Sequence, residues 1–245
     1  MSELLIEAGT DTVTLTLNRP AEGNLLTQGM AAEMMAALAA VGPDAKLVVL
    51  RAAGSDFCRG RQSPPIDRAT ASAREFRSVI AEPALALYQA MKDCPVPILG
   101  VIRGQALGVG CAIAGLCDIS LSAEDATFQV PEMNHGIPPT LVMAALAGRV
   151  PFNGLSYLVF SRTRISAAKA EALGIVSRCV PAAALESEAE TLAREICSCP
   201  AASLHAVKEY MRLAPRLDAQ SANSLAANLI ATVLSSHRAP PKSKE

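Results

Sequence analysis

The chain has 245 residues, of which 51% are hydrophobic, so it is long enough to bury one large core. Its 22 Lys and Arg nearly balance its 23 Asp and Glu, whereas a nucleic-acid-binding protein would present a basic face. The absence of Trp and the scarcity of Tyr and Phe also argue against a base-stacking surface.

Seven cysteines are scattered along the chain without the spacing of a disulfide framework or a zinc site. We therefore expect reduced thiols, no metal site and a cytoplasmic location. The amino-terminal residues lack the pattern of a signal peptide. The most hydrophobic run, 98–121, contains Arg103, Asp118 and several glycines, which favours a buried strand, turn and helix over a membrane span.

The first fifty residues predict a hairpin, a helix and a buried strand. Two alternating runs, 4–7 and 13–17, flank turn residues at 9–11. Thr27 can cap a helix rich in Ala and Met. The apolar run 46–51 has the composition of a strand buried in a parallel sheet.

The remainder of the chain continues to alternate strands with helices. A polar segment over 62–80 is expected to line a pocket, and it is followed by a helix at 83–91 and a strand at 97–102. From Thr140 the patterns are mostly helical, with a brief strand within 174–180. Strands that alternate with helices indicate βαβ units and an α/β fold with parallel pairing.

A glycine-bearing loop follows each of two consecutive predicted strands. The first is Phe57-Cys58-Arg59-Gly60; the second, Leu107-Gly108-Val109-Gly110, opens a helix. If the strands are neighbours, one backbone N–H from each loop can converge on one oxygen, as in an oxyanion hole for a thioester carbonyl. A phosphate at the helix N-terminus is the alternative, but neither the P-loop nor the dinucleotide-binding pattern occurs here.

Several motifs together resemble one known family, the crotonase superfamily, also called the enoyl-CoA hydratase/isomerase family. The resemblance covers about residues 12–212 and is carried by Leu17–Pro20, Asn24–Leu26, Asp56–Gly60, Gly104–Cys111, Cys117–Ile119, Phe128–Glu132 and segments within 165–180. It implies an α/β crotonase fold, related to that of Clp protease: a spiral of ββα units with a C-terminal helical trimerisation region. We accordingly expect a core at 1–195, a helical region at 196–238 and a disordered tail at 239–245.

The resemblance also implies a ligand and its contacts. The substrate would be an acyl-CoA thioester, with coenzyme A present only as part of the substrate and no separate cofactor. The backbone N–H groups of Arg59 and Val109 would hold the thioester carbonyl. Further contacts to the substrate or to coenzyme A are expected from Phe57, Cys58, Gly60, Arg61, Gln62 and Gly108. A homotrimer or a dimer of trimers is expected, with no nucleic-acid or membrane partner.

The carboxylates distinguish between reactions. Hydratases of the family carry two glutamates, but here Ala112 stands at the first position and only Glu132 is present at the second. One carboxylate can remove a proton from one carbon and return it to another, which favours double-bond isomerisation with the enolate held in the oxyanion hole. His135, three residues after Glu132, is a candidate accessory acid, base or water-orienting group.

Other readings of the same residues stay open. One is an enoyl-CoA hydratase or lyase that acts on an unusual acyl chain, and another is a catalytically weak protein that binds acyl-CoA without turnover. A serine peptidase of the Clp-protease fold needs a nucleophilic Ser beside a His and an acid, and no Ser occupies the second loop.

Overall fold

The structure is a computed structural model that describes residues 2–236. The tail predicted at 239–245 lies outside the described residues. The strands are β1 Leu4–Ala8, β2 Thr12–Leu17, β3 Leu47–Ala52, β4 Ile98–Ile102, β5 Gln105–Leu107, β6 Ile119–Ala123, β7 Thr127–Gln129, β8 Ile165–Ser166 and β9 Arg178–Val180. The α-helices are α1 Gln28–Ala39, α2 Ala73–Phe76, α3 Glu82–Asp93, α4 Val109–Leu116, α5 Thr140–Leu146, α6 Phe152–Ser161, α7 Ala167–Ala172, α8 Leu185–Cys197, α9 Ala201–Leu213 and α10 Ala219–Ser236.

The larger sheet has the strand order β1-β2-β3-β4-β6-β9. Its first pair is the predicted antiparallel hairpin, and every later pair is parallel. In the β3–β4 pair, Val48 lies opposite Ile98 and Leu50 lies opposite Gly100. Because β3 and β4 are parallel neighbours, the loops that follow them leave the sheet at the same edge, as the two glycine loops require.

A second sheet, with the order β5-β7-β8, stands beside this edge. Strand β5 lies inside the glycine turn itself, between β4 and α4, and pairs in parallel with β7. Neither β5 nor β8 is predicted from the sequence, because two or three residues are too few to show a period. The small sheet orients the start of α4.

Helix α4 lies in the core, and each of its eight residues is buried. It contacts α3 and α5, and the apolar side chains of α3 that face the interior include Leu87 and Met91. A helix that is apolar all round is stable only inside such a core. Its position fixes the direction in which its first-turn N–H groups point.

The C-terminal helices are attached to this core by a buried ion pair. Lys208 of α9, only 6% exposed, pairs with Asp118 at the start of β6. The same carboxylate accepts the N–H of Ile98 at 2.8 Å and faces Arg149 at 3.9 Å. Among residues 2–236, no helix combines the length and apolar character that a membrane crossing requires.

Candidate active site

The structure brings the two glycine loops into contact. The N–H of Phe57 donates to the carbonyl of Arg103 at 2.9 Å, and the N–H of Leu107 donates to Cys58 at 2.9 Å. The N–H of Cys58 also donates to Gln105, at 3.0 Å. These bonds extend the β3–β4 pairing beyond the sheet and hold the loops side by side.

Two glycines allow the close approach. A Cβ on Gly110 would lie 2.1 Å from the carbonyl oxygen of Cys58, so no side chain fits there. Gly108 has φ +52° and ψ −115°, a backbone conformation that L-residues avoid. The glycines are therefore required by the geometry at these two positions.

The N–H of Val109 makes no main-chain hydrogen bond within residues 2–236, and its role in holding a carbonyl oxygen stays a prediction. Val109 is the first residue of α4, so its N–H has no carbonyl of the same helix to bond. The helix dipole adds to the attraction for negative charge at this end.

The prediction that Arg59 supplies the free N–H of the first loop is wrong. The N–H of Arg59 donates to the carbonyl of Gly23 at 2.9 Å, so it is already engaged and turned toward the N-terminal segment. Two residues on, the Arg61 N–H makes no hydrogen bond within the part of the chain that the structure describes. The flanking bonds, from Leu26 to Gly60 and from Gln62 to Leu26, leave it on the free side of the loop. The available N–H of the first loop is thus that of Arg61.

Glu132 lies against the start of α4. It opens a short 3₁₀ helix, Glu132–His135, that follows β7. A Cβ on Gly108 would lie 2.6 Å from its Oε1, which places the carboxyl directly over the glycine turn. Its Oε2 is buried and has no hydrogen-bond partner within residues 2–236.

Glu132 is half-buried. Burial raises the pKa of its carboxyl, while its own backbone N–H and the His135 side chain lower it to a smaller extent. Ala112, which replaces the first glutamate of hydratases, is fully buried. His135 itself is exposed, and no side-chain hydrogen bond joins it to Glu132 in the described residues; its effect on the pKa of Glu132 is electrostatic.

Three other predicted contact residues occupy different places. Phe57 and Cys58 are fully buried, so a ligand could meet only their main chain, and burial raises the pKa of the Cys58 thiol to about 11. The side chain of Gln62 accepts a hydrogen bond from Arg19 at 2.9 Å and faces the N-terminal segment. For Phe57 and Cys58 the predicted contacts could thus come only from the main chain, and the binding role of all three residues stays a prediction.

Two residues that position or line the site are not among the contacts predicted from the sequence. Tyr88 of α3 is 2% exposed, and the charge of Glu132 acts on its hydroxyl. Its spacing with Ala84, Leu87 and Met91 marks it as a core residue, which hides its polar end. Asn24 has φ +53°, and its buried amide bonds to the carbonyls of Ala53 and Asp56 and to the N–H of Arg19. It holds the first glycine loop in place.

Known proteins are similar to this chain in sequence. The family described as enoyl-CoA hydratase/isomerase matches residues 7–239. The 2,3-dehydroadipyl-CoA hydratase of Escherichia coli is 28% identical over 215 residues, which are 86% of this chain and 82% of that protein. The rat mitochondrial enoyl-CoA hydratase domain-containing protein 3 is 26% identical over 75% of this chain, and the match spans 61% of its length.

Solved structures share the fold. An enoyl-CoA hydratase from Mycobacterium smegmatis superposes with a TM-score of 0.89 and 28% identity, covering 96% of this chain and 91% of that chain. The human enoyl-CoA hydratase domain-containing protein 3 gives a TM-score of 0.88 at 22% identity, over 96% of this chain and 92% of that chain. The α/β crotonase fold expected from the motifs is confirmed. With a family match over nearly the whole chain, the protein belongs to the enoyl-CoA hydratase/isomerase family.

Proposed function

We propose that the protein is an acyl-CoA-processing enzyme that moves the double bond of an enoyl-CoA. Glu132 would be its base, and the N–H groups of Val109 and Arg61 would be its oxyanion hole. The observation that carries this proposal is the half-buried Glu132 carboxyl, which lies over the glycine turn and has a buried, unpartnered Oε2. Ala112 supplies no second carboxylate beside it.

The chemistry follows from this arrangement. Glu132 removes a proton from the carbon next to the thioester carbonyl of a 3-enoyl-CoA, and the electron pair moves onto the carbonyl oxygen. The two N–H groups hold the resulting negative charge. The same carboxyl returns its proton to the fourth carbon, and the double bond then lies between the second and third carbons. One carboxylate completes this cycle.

The environment of Glu132 suits that role. Since burial raises the pKa of its carboxyl, the carboxylate is a stronger base than an exposed glutamate and can also return the proton. A hydratase must in addition hold and activate a water, which a second carboxylate would share. No other carboxylate within residues 2–236 is among the groups that shift the pKa of Glu132.

The relatives support the class of substrate. The Escherichia coli protein is named a 2,3-dehydroadipyl-CoA hydratase and the Mycobacterium smegmatis protein an enoyl-CoA hydratase. A solved relative from Thermobifida fusca, with a TM-score of 0.85 and 24% identity, is a complex with CoA. We therefore infer a coenzyme A thioester as the ligand and no separate cofactor.

We also propose that the protein assembles as a homotrimer or a dimer of trimers. Helix α6 exposes Phe152 (83%) and Phe160 (68%), and α10 exposes Ile230 and Leu234. Large exposed apolar side chains of this kind are typical of subunit interfaces. Light scattering on the purified protein would measure the mass of the assembly, and a monomer would contradict the proposal.

The reaction is tested with trans-2-, cis-3- and trans-3-enoyl-CoA, with products separated by chromatography. We expect double-bond migration, and we expect Glu132→Gln to reduce kcat/KM by about 10² to 10⁴-fold. Glu124→Gln, an exposed glutamate in the turn before β7, is the matched control and should behave like the wild type.

Other outcomes identify the alternatives. Hydration that depends on Glu132 would favour a hydratase, and migration that survives in Glu132→Gln would overturn the role of that residue. Tight thioester binding without turnover would favour a binding protein.

A further inference from the structure

Strand β5, inside the second glycine loop, is hydrogen-bonded along both of its edges. On one edge, the carbonyl of Gly104 and the N–H of Gly108 bond to β7, at 2.8 and 2.9 Å. Because a strand directs the main-chain groups of successive residues to opposite edges, those of Gln105 and Leu107 point the other way. That second edge faces the first glycine loop.

The first glycine loop pairs with this edge only briefly. Cys58 and Ala106 form an isolated parallel bridge, and the N–H of Cys58 donates to Gln105 at 3.0 Å. Continued parallel pairing would bring the main-chain carbonyl of Asp56 to the N–H of Gln105. That carbonyl is instead turned toward Asn24, whose side-chain amide donates to it at 2.7 Å.

The Asp56 side chain replaces the missing acceptor. Its Oδ1 accepts the N–H of Gln105 at 3.0 Å, and both residues are half-buried. Gly104 allows the close approach, since a Cβ there would lie 2.8 Å from the same Oδ1 and 2.0 Å from the carbonyl oxygen of Ser55. The other hydrogen bonds between the two loops within residues 2–236 join main chain to main chain. In that part of the chain, Asp56 is therefore the one side chain that bonds the loops to each other.

We propose that Asp56 is a positioning residue of the oxyanion hole, which holds the first loop against β5 and so sets the spacing between the N–H groups of Arg61 and Val109. Asp56 precedes Arg61 by five residues, and Gln105 precedes Val109 by four. A movement at the Asp56–Gln105 bond is therefore passed to both donors over short segments. This inference rests on the proposed function, because the hole belongs to that same site.

The role predicts which bound species responds to a change at Asp56. Donors at fixed spacing stabilise an enolate, which carries the negative charge, more than they stabilise the neutral thioester. Loss of the spacing should therefore reduce enolate formation while thioester binding changes little.

The test uses acetoacetyl-CoA, whose enolate absorbs at a longer wavelength than its neutral form. The absorbance of the bound ligand gives the ratio of enolate to neutral form without any turnover, and titration calorimetry with butyryl-CoA gives the affinity for a saturated thioester. We expect the wild type to raise the enolate ratio of the bound ligand. Asp56→Ala should lower that ratio, and kcat with 3-enoyl-CoA, by about 10-fold, and should change KM and butyryl-CoA affinity by less than about 3-fold.

Two further variants separate positioning from a general loss of stability. Asp56→Asn keeps an acceptor oxygen and should stay within about 3-fold of the wild-type enolate ratio. Asp218→Ala is the matched control, because Oδ1 of that exposed aspartate accepts the N–H of Ser221 at 3.0 Å at the start of α10. It also loses a bond from a carboxylate to the main chain, so it should lower the urea midpoint and leave the enolate ratio unchanged.

The outcomes distinguish this inference from the proposed function. A wild-type enolate ratio in Asp56→Ala would overturn the inference and leave the proposed function intact. Equal losses in Asp56→Ala and Asp56→Asn would also overturn it, since the charge rather than the acceptor oxygen would then matter. A raised ratio in both variants would show that the carboxylate repels the enolate, which again contradicts positioning. If the wild type binds acetoacetyl-CoA without any gain of enolate, the proposed oxyanion hole falls and this inference falls with it.

Discussion

The contact between Gly110 and Cys58 makes a sharp prediction for Gly110→Ala. Gly110 has no left-handed backbone angle, so alanine there adds no φ strain. Its Cβ, however, would lie 2.1 Å from the Cys58 carbonyl oxygen and 2.9 Å from the carbonyl carbon. Ordinary Cβ contacts begin near 3.4 Å, and the opposing atoms belong to the main chain. The two glycine loops must therefore separate by about 1 Å.

Two opposing effects set the size of the change. Replacing glycine by alanine inside a helix gains up to about 1 kcal/mol from backbone entropy. Overpacking costs about 1 to 3 kcal/mol and lies at the upper end when no flexible side chain can yield. We expect a net loss of about 2 kcal/mol in the free energy of unfolding. Moving the donors of Val109 and Arg61 apart by about 1 Å should also reduce kcat/KM by about 10²-fold.

Urea unfolding at matched protein concentration and steady-state turnover of 3-enoyl-CoA provide the measurements. Gly42→Ala is the matched control: no atom lies within 4 Å of its Cβ position and its φ is not left-handed. That variant should be neutral or more stable by up to about 1 kcal/mol. The loop-packing argument is refuted if Gly110→Ala changes stability by less than about 0.5 kcal/mol and retains full turnover.

Three further predictions concern stability. Burial raises the pKa of Glu132, so protonation stabilises the folded state at low pH, and this contribution is lost as the pH rises from 4.5 through the folded pKa. Glu132→Gln should therefore have a higher urea midpoint than the wild type at pH 8 and an equal midpoint at pH 4. A lower midpoint at pH 8 would contradict the burial of the carboxyl. Lys208→Met should lower the free energy of unfolding by about 3 kcal/mol, because it leaves Asp118 without its buried partner. The double variant Lys208→Met with Asp118→Asn should lose less stability than the sum of the two single variants. Strictly additive losses would argue against the ion pair. Asn24→Ala should lower the free energy of unfolding by about 3 to 4 kcal/mol, because it removes three side-chain hydrogen bonds and places alanine at a left-handed φ. Asn24→Gly should recover about 1 kcal/mol of that loss. Equal urea midpoints for the two variants would show that φ is unimportant at this position.

Local patterns were sufficient for most of the fold. Thr27 accepts the N–H of Met30 at 2.9 Å, as its capping role predicts. The hairpin at 9–11 and the buried parallel strands also agree with the structure. These features depend on a few adjacent residues, whose chemistry is visible in the sequence. The segment 62–80 is less regular, and its helix α2 with the following π-helical turn, Arg77–Ala81, has no clear pattern there.

The sequence predicts which loops form the site, but not which of their N–H groups are free to bind a ligand. The glycine pattern indicates where donors lie, but which N–H is free depends on a distant acceptor, the carbonyl of Gly23 for Arg59. The same limit applies to Tyr88, since core spacing conceals which end of a side chain faces a cavity. The placement of Glu132 over Gly108 involves residues 24 positions apart, which only the assembled fold brings together.

The burial of α4 has a consequence for how this protein could acquire new reactions. The donor at the start of α4 is a main-chain N–H, so it does not depend on which side chain stands at position 109. Substitutions at 112 or 132 would therefore alter the chemistry one step at a time, while the N–H groups that we propose as donors to a thioester oxygen remain. Each intermediate in such a lineage would still hold its substrate, which makes changes of reaction accessible to gradual selection.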